Sequence, residues 1–158
     1  MRVGLGFDSH RLVPGRRLVL CGVEIPCEVG LSGHSDADAA LHALTDAILG
    51  AAGLPDLGSL FPDTDPRYRG AASSLFLREA LRLVSEKGLS VYQVDLTLVL
   101  ARPKLVPHRD RLRENLARLL AIPVERVGLK AKSPEGLALF EEEGVAAWAV
   151  AVLREDGA

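Results

Sequence analysis

The chain has 158 residues, 48% of them hydrophobic and 25% charged, with a formal net charge of −2. Such a length supports one core of ordinary size, and so small a charge argues against a broad footprint for nucleic acid or an anionic membrane, leaving a small molecule as the expected ligand. No apolar run reaches the roughly 18 residues of a membrane span and no signal-like stretch opens the chain, so the cytoplasm is the expected compartment.

Arg2 to Phe7 and Leu18 to Val23 read as short strands, the second ended by Pro26. The only cysteines, Cys21 and Cys27, fit no common zinc spacing and read as packing residues. A glycine-bearing loop leads to Ser35, read as a helix cap with Asp38 as its capping-box partner. Ala and Leu then recur at helical spacing up to Gly50 or Gly53. Leu54 to Pro66 has the proline and aspartate content of a loop. Ser73 to Lys87 reads as a second helix stopped by Gly88, and Val91 to Ala101 as a β-branched strand. Pro107 opens a third helix running to about Leu120, with Leu112, Leu116, Leu119 and Leu120 on one face. Val127 to Ala131 and Val145 to Leu153 complete the strands.

This order predicts an α+β fold, residues 1–158 forming a single-domain α/β sandwich in which three helices cover one face of a mixed sheet of four to five strands. Around Ala147, Trp148, Ala149, Val150 and Ala151, small side chains alternate with larger ones. The larger set predicts sheet-to-sheet contact between subunits.

Three residues carry the first chemical signal. Asp8 and His10, two apart in an extended segment, point the same way, and His42 lies about two turns into the first helix. One carboxylate and two imidazoles hold a divalent ion with a coordination position open for chemistry. The spacing also fits independent surface or capping histidines. His34 and Ser35 precede a helix N-terminus, where free N–H groups favour an anion such as phosphate. Asp46, one turn beyond His42, is either a support of the site or a solvated charge. Gly4-Leu5-Gly6 lacks the third glycine of a dinucleotide fingerprint, and no glycine-rich Lys-Ser/Thr loop exists.

Four segments carry a more specific signal: Gly6-Phe7-Asp8-Ser9-His10; Gly33-His34-Ser35-Asp36-Ala37-Asp38 continuing to Leu41-His42-Ala43; Asp56 to Pro66, containing Phe61-Pro62-Asp63-Thr64-Asp65; and Arg102-Pro103-Lys104 leading to Pro107-His108. In this order and spacing they resemble the 2-C-methyl-D-erythritol 2,4-cyclodiphosphate synthase family of the non-mevalonate isoprenoid pathway. The resemblance spans nearly the whole chain. It implies a homotrimer with active sites between subunits that cyclises 4-diphosphocytidyl-2-C-methyl-D-erythritol 2-phosphate with release of CMP.

By that similarity Asp8, His10 and His42 bind zinc or another divalent transition metal, and Glu135 holds magnesium or manganese with the diphosphate. His34 and Ser133 match transition-state stabilising positions. Asp8, Ser9, His10, His34 and Ser35 match substrate contacts, as do Asp56, Leu57, Gly58, Phe61, Pro62, Asp63, Thr64 and Asp65 over the methylerythritol part. Ala101, Arg102, Pro103, Lys104, Leu105 and Val106 match the cytosine pocket. Lys132, Ser133, Pro134 and Glu135 match the CMP-phosphate end, with Lys132 at a family Thr position. Taken without that context, Phe61 reads equally as core, Lys104 as a solvated charge, and Ser133-Pro134 as an ordinary strand exit.

The segment from Lys132 to Gly144 departs from the family pattern. Glu142 falls where relatives carry an Arg associated with phosphate contact and with an axial diphosphate ligand, and three successive carboxylates repel such a group unless paired. The expectation is that this chain's axial cavity binds no prenyl diphosphate. Two other classes compete with the synthase: a metal-dependent phosphoesterase activating water with the same ion, and a non-catalytic nucleotide-binding module.

Overall fold

The computed structural model describes residues 1–137 and 143–157. Its strands are β1 (Arg2–Pro14), β2 (Leu18–Leu20), β3 (Val23–Ile25), β4 (Val29–Leu31), β5 (Leu89–Leu100), β6 (Val127–Lys132) and β7 (Gly144–Glu155). The helices are α1 (Ala39–Ala51), the single-turn α2 (Leu57–Leu60), α3 (Ser73–Glu86) and α4 (Arg109–Leu120). Five strands form a mixed sheet in the order β4-β1-β7-β5-β6, in which only β5 and β6 run parallel, and β2 with β3 makes a separate hairpin. The expected α+β architecture is present.

Residue size places the helices. On β1 and β7 the inward positions are Gly4, Gly6, Ala147, Ala149 and Ala151, all buried, while Val3, Leu5, Phe7, Trp148 and Val150 are exposed on the opposite face. Side chains this small let the α1 backbone approach closely. A Cβ on Gly4 would stand 2.0 Å from the Ala47 carbonyl oxygen, and one on Gly6 would stand 1.8 Å from that of Ala43. Two strand residues span about 6.6 Å and four helical residues about 6 Å, so β1 and α1 keep step. The next inward positions, Asp8 and His10, therefore lie beside the first turn and a half of α1, where His42 sits.

Several boundaries differ from expectation. β1 continues seven residues past Phe7, because Asp8, Ser9, His10 and Arg11 pair with β7 although their polarity ends the apolar pattern. Leu18 to Val23 is not one strand: the chain reverses at Cys21 and Gly22, with φ of 54° and 75°, so that Leu20 pairs with Val23 in a two-residue hairpin. Val29–Leu31, read as loop, pairs with β1. Ser35 is not the cap of α1. Asp38 is, its carboxylate accepting from Leu41 N at 3.0 Å. The same carboxylate accepts from Cys21 N at 3.1 Å and Gly22 N at 2.6 Å, which ties the hairpin turn to the helix. Pro107 belongs to a 3-10 turn, Val106–His108, that precedes α4 rather than opening it. Cys21 is buried and Cys27 half-buried, and both are free thiols. No helix among the described residues is long and apolar enough to cross a membrane.

Candidate active site

Asp8, His10 and His42 converge from β1 and α1. Asp8 Oδ2 lies 2.7 Å from His10 Nε2 and 3.1 Å from His42 Nδ1, and the two nitrogens are 3.4 Å apart. Among the described residues this is the one group of three metal-capable side chains, with ligand atoms mutually within 4.8 Å. A tetrahedral ion with bonds of about 2.0–2.1 Å sets its ligand atoms roughly 3.3 Å apart, so the triangle has the right size for such an ion. His10 Nδ1 donates to the Ser32 carbonyl at 2.8 Å, which leaves Nε2 as the lone-pair nitrogen turned inward. The donor set and its spacing fit a divalent cation.

Asp8 and His10 act on each other's charge even without a cation. Burial disfavours ionised Asp8, but hydrogen bonds to His10 and His42 outweigh it and hold the carboxyl below its ordinary range. Burial likewise disfavours charged His10, and its contact with Asp8 outweighs that and raises its affinity for a proton. A proton here stands where a metal ion would be held.

A cleft of about 360 Å³ opens over the triad, lined also by Gly33, His34, Ser35, Leu57, Gly58, Phe61, Asp63, Tyr68 and Phe76. Its floor is an aromatic cluster: Phe61 stacks 5.0 Å from Phe76 and 5.7 Å from Tyr68, and Phe76 lies 6.1 Å from His42. Phe61 is thus both core and wall. Arg16 donates to the carbonyls of Gly33 and Ser35, at 2.9 and 2.7 Å, and so fixes the segment that carries His34. His34 Nε2 donates to the Asp65 carbonyl at 3.0 Å, which joins that segment to the 56–65 loop. Ser35 is buried, and its Oγ accepts from Ala37 N and lies 3.3 Å from His42 Nε2.

Aspartates shape the loop. Asp56 caps α2 by accepting from Ser59 N at 3.0 Å. Asp46 accepts from Leu57 N at 2.7 Å, so it is a support that holds the loop against α1 rather than a solvated charge. The Asp65 carboxylate pairs with Arg67 at 2.6 Å and stays below its ordinary range because of it. Pro62 and Thr64 are exposed on the outside of the loop, and Ser9 faces away from the triad on β1.

The remaining expected residues lie elsewhere on the same chain. Leu105, Val106 and Lys132 line a second cleft of about 270 Å³ with Arg109, Leu112, Leu129, Lys130 and Ala131. Ala101, Arg102, Pro103 and Lys104 form the turn leading into it after β5, where Arg102 pairs with Glu143 at 2.7 Å. Ser133, Pro134 and Glu135 follow β6; Ser133 Oγ accepts from Glu135 N at 3.1 Å, and Glu135 is exposed with a φ of 53°. The two clefts share no lining residue. Register places Lys132 beside Val99, Val99 beside Ala146 and Ala146 beside Ser9. Both clefts therefore sit at one end of the sheet, separated by three strand spacings, or about 14 Å. Glu142 and the rest of 138–142 lie outside the described residues.

Ser73, Asp36, Phe76, Tyr68 and Arg16 were not anticipated as parts of the site. Tyr68 and Phe76 had a signal, since both follow the recognised loop closely in a chain with few aromatics. Ser73 and Asp36 meet across 37 positions and had none.

A sequence model of the YgbB family matches residues 1–154. A 2-C-methyl-D-erythritol 2,4-cyclodiphosphate synthase from Thermus thermophilus is 62% identical over 138 residues, covering 87% of this chain and 91% of its own. One from Syntrophobacter fumaroxidans is 51% identical over 158 residues, 99% of each chain. A solved structure of 2-C-methyl-D-erythritol-2,4-cyclodiphosphate synthase in a CDP-bound form superposes with a TM-score of 0.90 at 56% identity, covering 97% of this chain and 100% of that one. Motifs, fold, metal-sized triad and relatives agree, and the chain belongs to the YgbB family.

Proposed function

We propose that this chain cyclises 4-diphosphocytidyl-2-C-methyl-D-erythritol 2-phosphate to 2-C-methyl-D-erythritol 2,4-cyclodiphosphate with release of CMP, the phosphorus–oxygen lyase step of isoprenoid precursor synthesis. The observation that carries this reading is the meeting of Asp8, His10 and His42 in one cleft with His34 and the 56–65 loop. The names of its relatives support it. Residues 1–158 act as one synthase domain, and the cytoplasm is the compartment this reading assigns.

The reaction needs no protein nucleophile. An oxygen of the substrate's 2-phosphate attacks the β-phosphorus, the β-phosphorus to bridging-oxygen bond breaks, and that electron pair leaves on CMP. The protein must fold the substrate for in-line attack and neutralise the charge that spreads over phosphate oxygens. Asp8, His10 and His42 would hold zinc or a related divalent ion, and Glu135 would hold magnesium or manganese. When bound, these ions supply Lewis-acid polarisation and charge neutralisation at the phosphates.

The chain's own groups do the positioning. His34, fixed through Nε2 to Asp65 and through its backbone neighbours to Arg16, presents its other ring edge toward phosphate. Asp63 and the backbone of Asp56, Leu57 and Gly58 receive the polyol. Ala101 to Val106 read the cytosine edge, while Lys132 and Ser133 donate to the CMP phosphates.

The two clefts, about 14 Å apart in one chain, support a site shared between copies. The exposed apolar face of Val3, Leu5, Phe7, Trp148 and Val150 supports sheet-to-sheet packing in a homotrimer. Phosphorus NMR of the product, with metal analysis of the same sample, tests the function. Cyclic diphosphate with CMP is expected; ring-free phosphate would make the chain a phosphoesterase, and unchanged substrate a binding module.

A further inference from the structure

His42 is engaged at both ring nitrogens, and its outer partners decide which one is free for a cation. Nε2 lies 2.9 Å from Ser73 Oγ. Ser73, the first residue of α3, is fully buried. Its hydroxyl donates to Asp36 Oδ1, and its backbone N–H donates to Asp36 Oδ2 at 3.1 Å. A hydroxyl has one proton, and an ionised carboxylate has none to give. Ser73 Oγ therefore meets His42 Nε2 as an acceptor, and the ring proton sits on Nε2.

The rival arrangement places the proton on Nδ1, facing Asp8, with Nε2 accepting from Ser35 Oγ at 3.3 Å. It would set the Ser73 oxygen lone pair against the Nε2 lone pair at 2.9 Å while a longer contact carried the hydrogen bond. The Asp36 arrangement instead leaves the Nδ1 lone pair facing Asp8 Oδ2 at 3.1 Å and His10 Nε2 at 3.4 Å, a gathering of acceptor atoms that a bound cation, or a proton in its place, satisfies. It also mirrors His10, whose outer nitrogen is occupied by the Ser32 carbonyl.

We propose that Asp36 and Ser73 form a positioning pair that locks His42 in the Nε2–H tautomer and so presents the Nδ1 lone pair to a divalent cation held with Asp8 and His10. This rests on the metal reading above. The carboxylate acts through the hydroxyl: it orients the imidazole, and by accepting along the chain it makes Nδ1 a stronger donor to the ion. It also makes α3 part of the metal site, although α3 contributes no ligand.

Two measurements test the pair. Nitrogen-15 NMR of the zinc-loaded wild-type protein at pH 8 should show His42 protonated at Nε2 and bound to the metal through Nδ1; metal bound through Nε2 would overturn the proposal. Competition with a chromophoric chelator should then show zinc bound about 10–100-fold more weakly by Ser73→Ala than by wild type. Equal zinc affinity in the two proteins would overturn the pair and leave the metal reading standing. Absence of zinc binding by wild type would overturn both. Should Ser73→Ala not fold, the wild-type tautomer decides alone.

Discussion

Gly6 lies so close under Ala43 that a Cβ on the glycine would stand 1.8 Å from the Ala43 carbonyl oxygen. That oxygen belongs to a helix backbone and cannot rotate away as a side chain would. Gly6→Ala is expected to destabilise the metal-free protein by about 3 kcal/mol and to weaken zinc binding, because lifting α1 pulls His42 from Asp8. Gly4→Ala meets the Ala47 carbonyl in the same way, farther from the ligands. Its melting temperature should fall as far with less effect on the metal. Wild-type melting of Gly6→Ala would show that the contact does not position the helix.

His42→Ala removes one of three ligands and leaves the glycine and alanine contacts of α1 intact. The variant should remain folded by circular dichroism, bind little zinc at micromolar concentration and lose turnover by 10²–10³-fold or more, roughly the effect of deleting one electrostatic stabiliser. Full activity with no metal present would refute the mechanism.

Asp38 predicts a pH dependence that belongs to the fold. Burial pushes its carboxyl up to about 7, against the backbone donors Leu41 and Gly22. The unfolded chain titrates near 3.8. Between these values the folded protein holds a proton that the unfolded chain has lost. This contribution to stability is fully present below about pH 4 and is lost as pH rises through about 7. In urea titrations of metal-free protein, the stability difference between wild type and Asp38→Asn should therefore shift against wild type from pH 5 to pH 8, by an amount on the order of 2 kcal/mol. A difference that does not change with pH counts against the assignment.

Copies of the chain carrying His42→Ala and copies carrying Ser133→Ala should each be inactive alone if the site is shared. Equal mixtures, exchanged through mild denaturant, should recover roughly a quarter of wild-type activity, the chance that two independent halves are both intact. Mixtures that stay inactive after verified exchange would place both halves in one chain.

The parity of Asp8 and His10 and the helical phase of His42 were legible because both depend on local periodicity. The extension of β1 past Phe7 was not, since Asp8 to Arg11 are polar residues paired by a strand 133 to 139 positions away in sequence. Cys21-Gly22 gave no turn signal, because the positive φ of Cys21 is supported by the Asp38 carboxylate rather than by its own residue type. Asp38 also displaced Ser35 as the cap of α1, a choice made by that same long-range contact. Ser73 and Asp36 carry no spacing that links them. The family motifs named Glu135 and Lys132 as site residues, but only the strand order reveals that β7 and β5 stand between them and the metal triad.

Two clefts carried on one sheet have a further consequence for how such a protein would respond to dilution. The triad, its hydrogen bonds and the aromatic floor belong wholly to one chain, so in the metal reading a single chain would load the ion by itself. Turnover, in the shared-site reading, belongs to the contact between chains. At low concentration the molecule would remain folded and loaded with metal yet be silent, so that abundance itself sets specific activity.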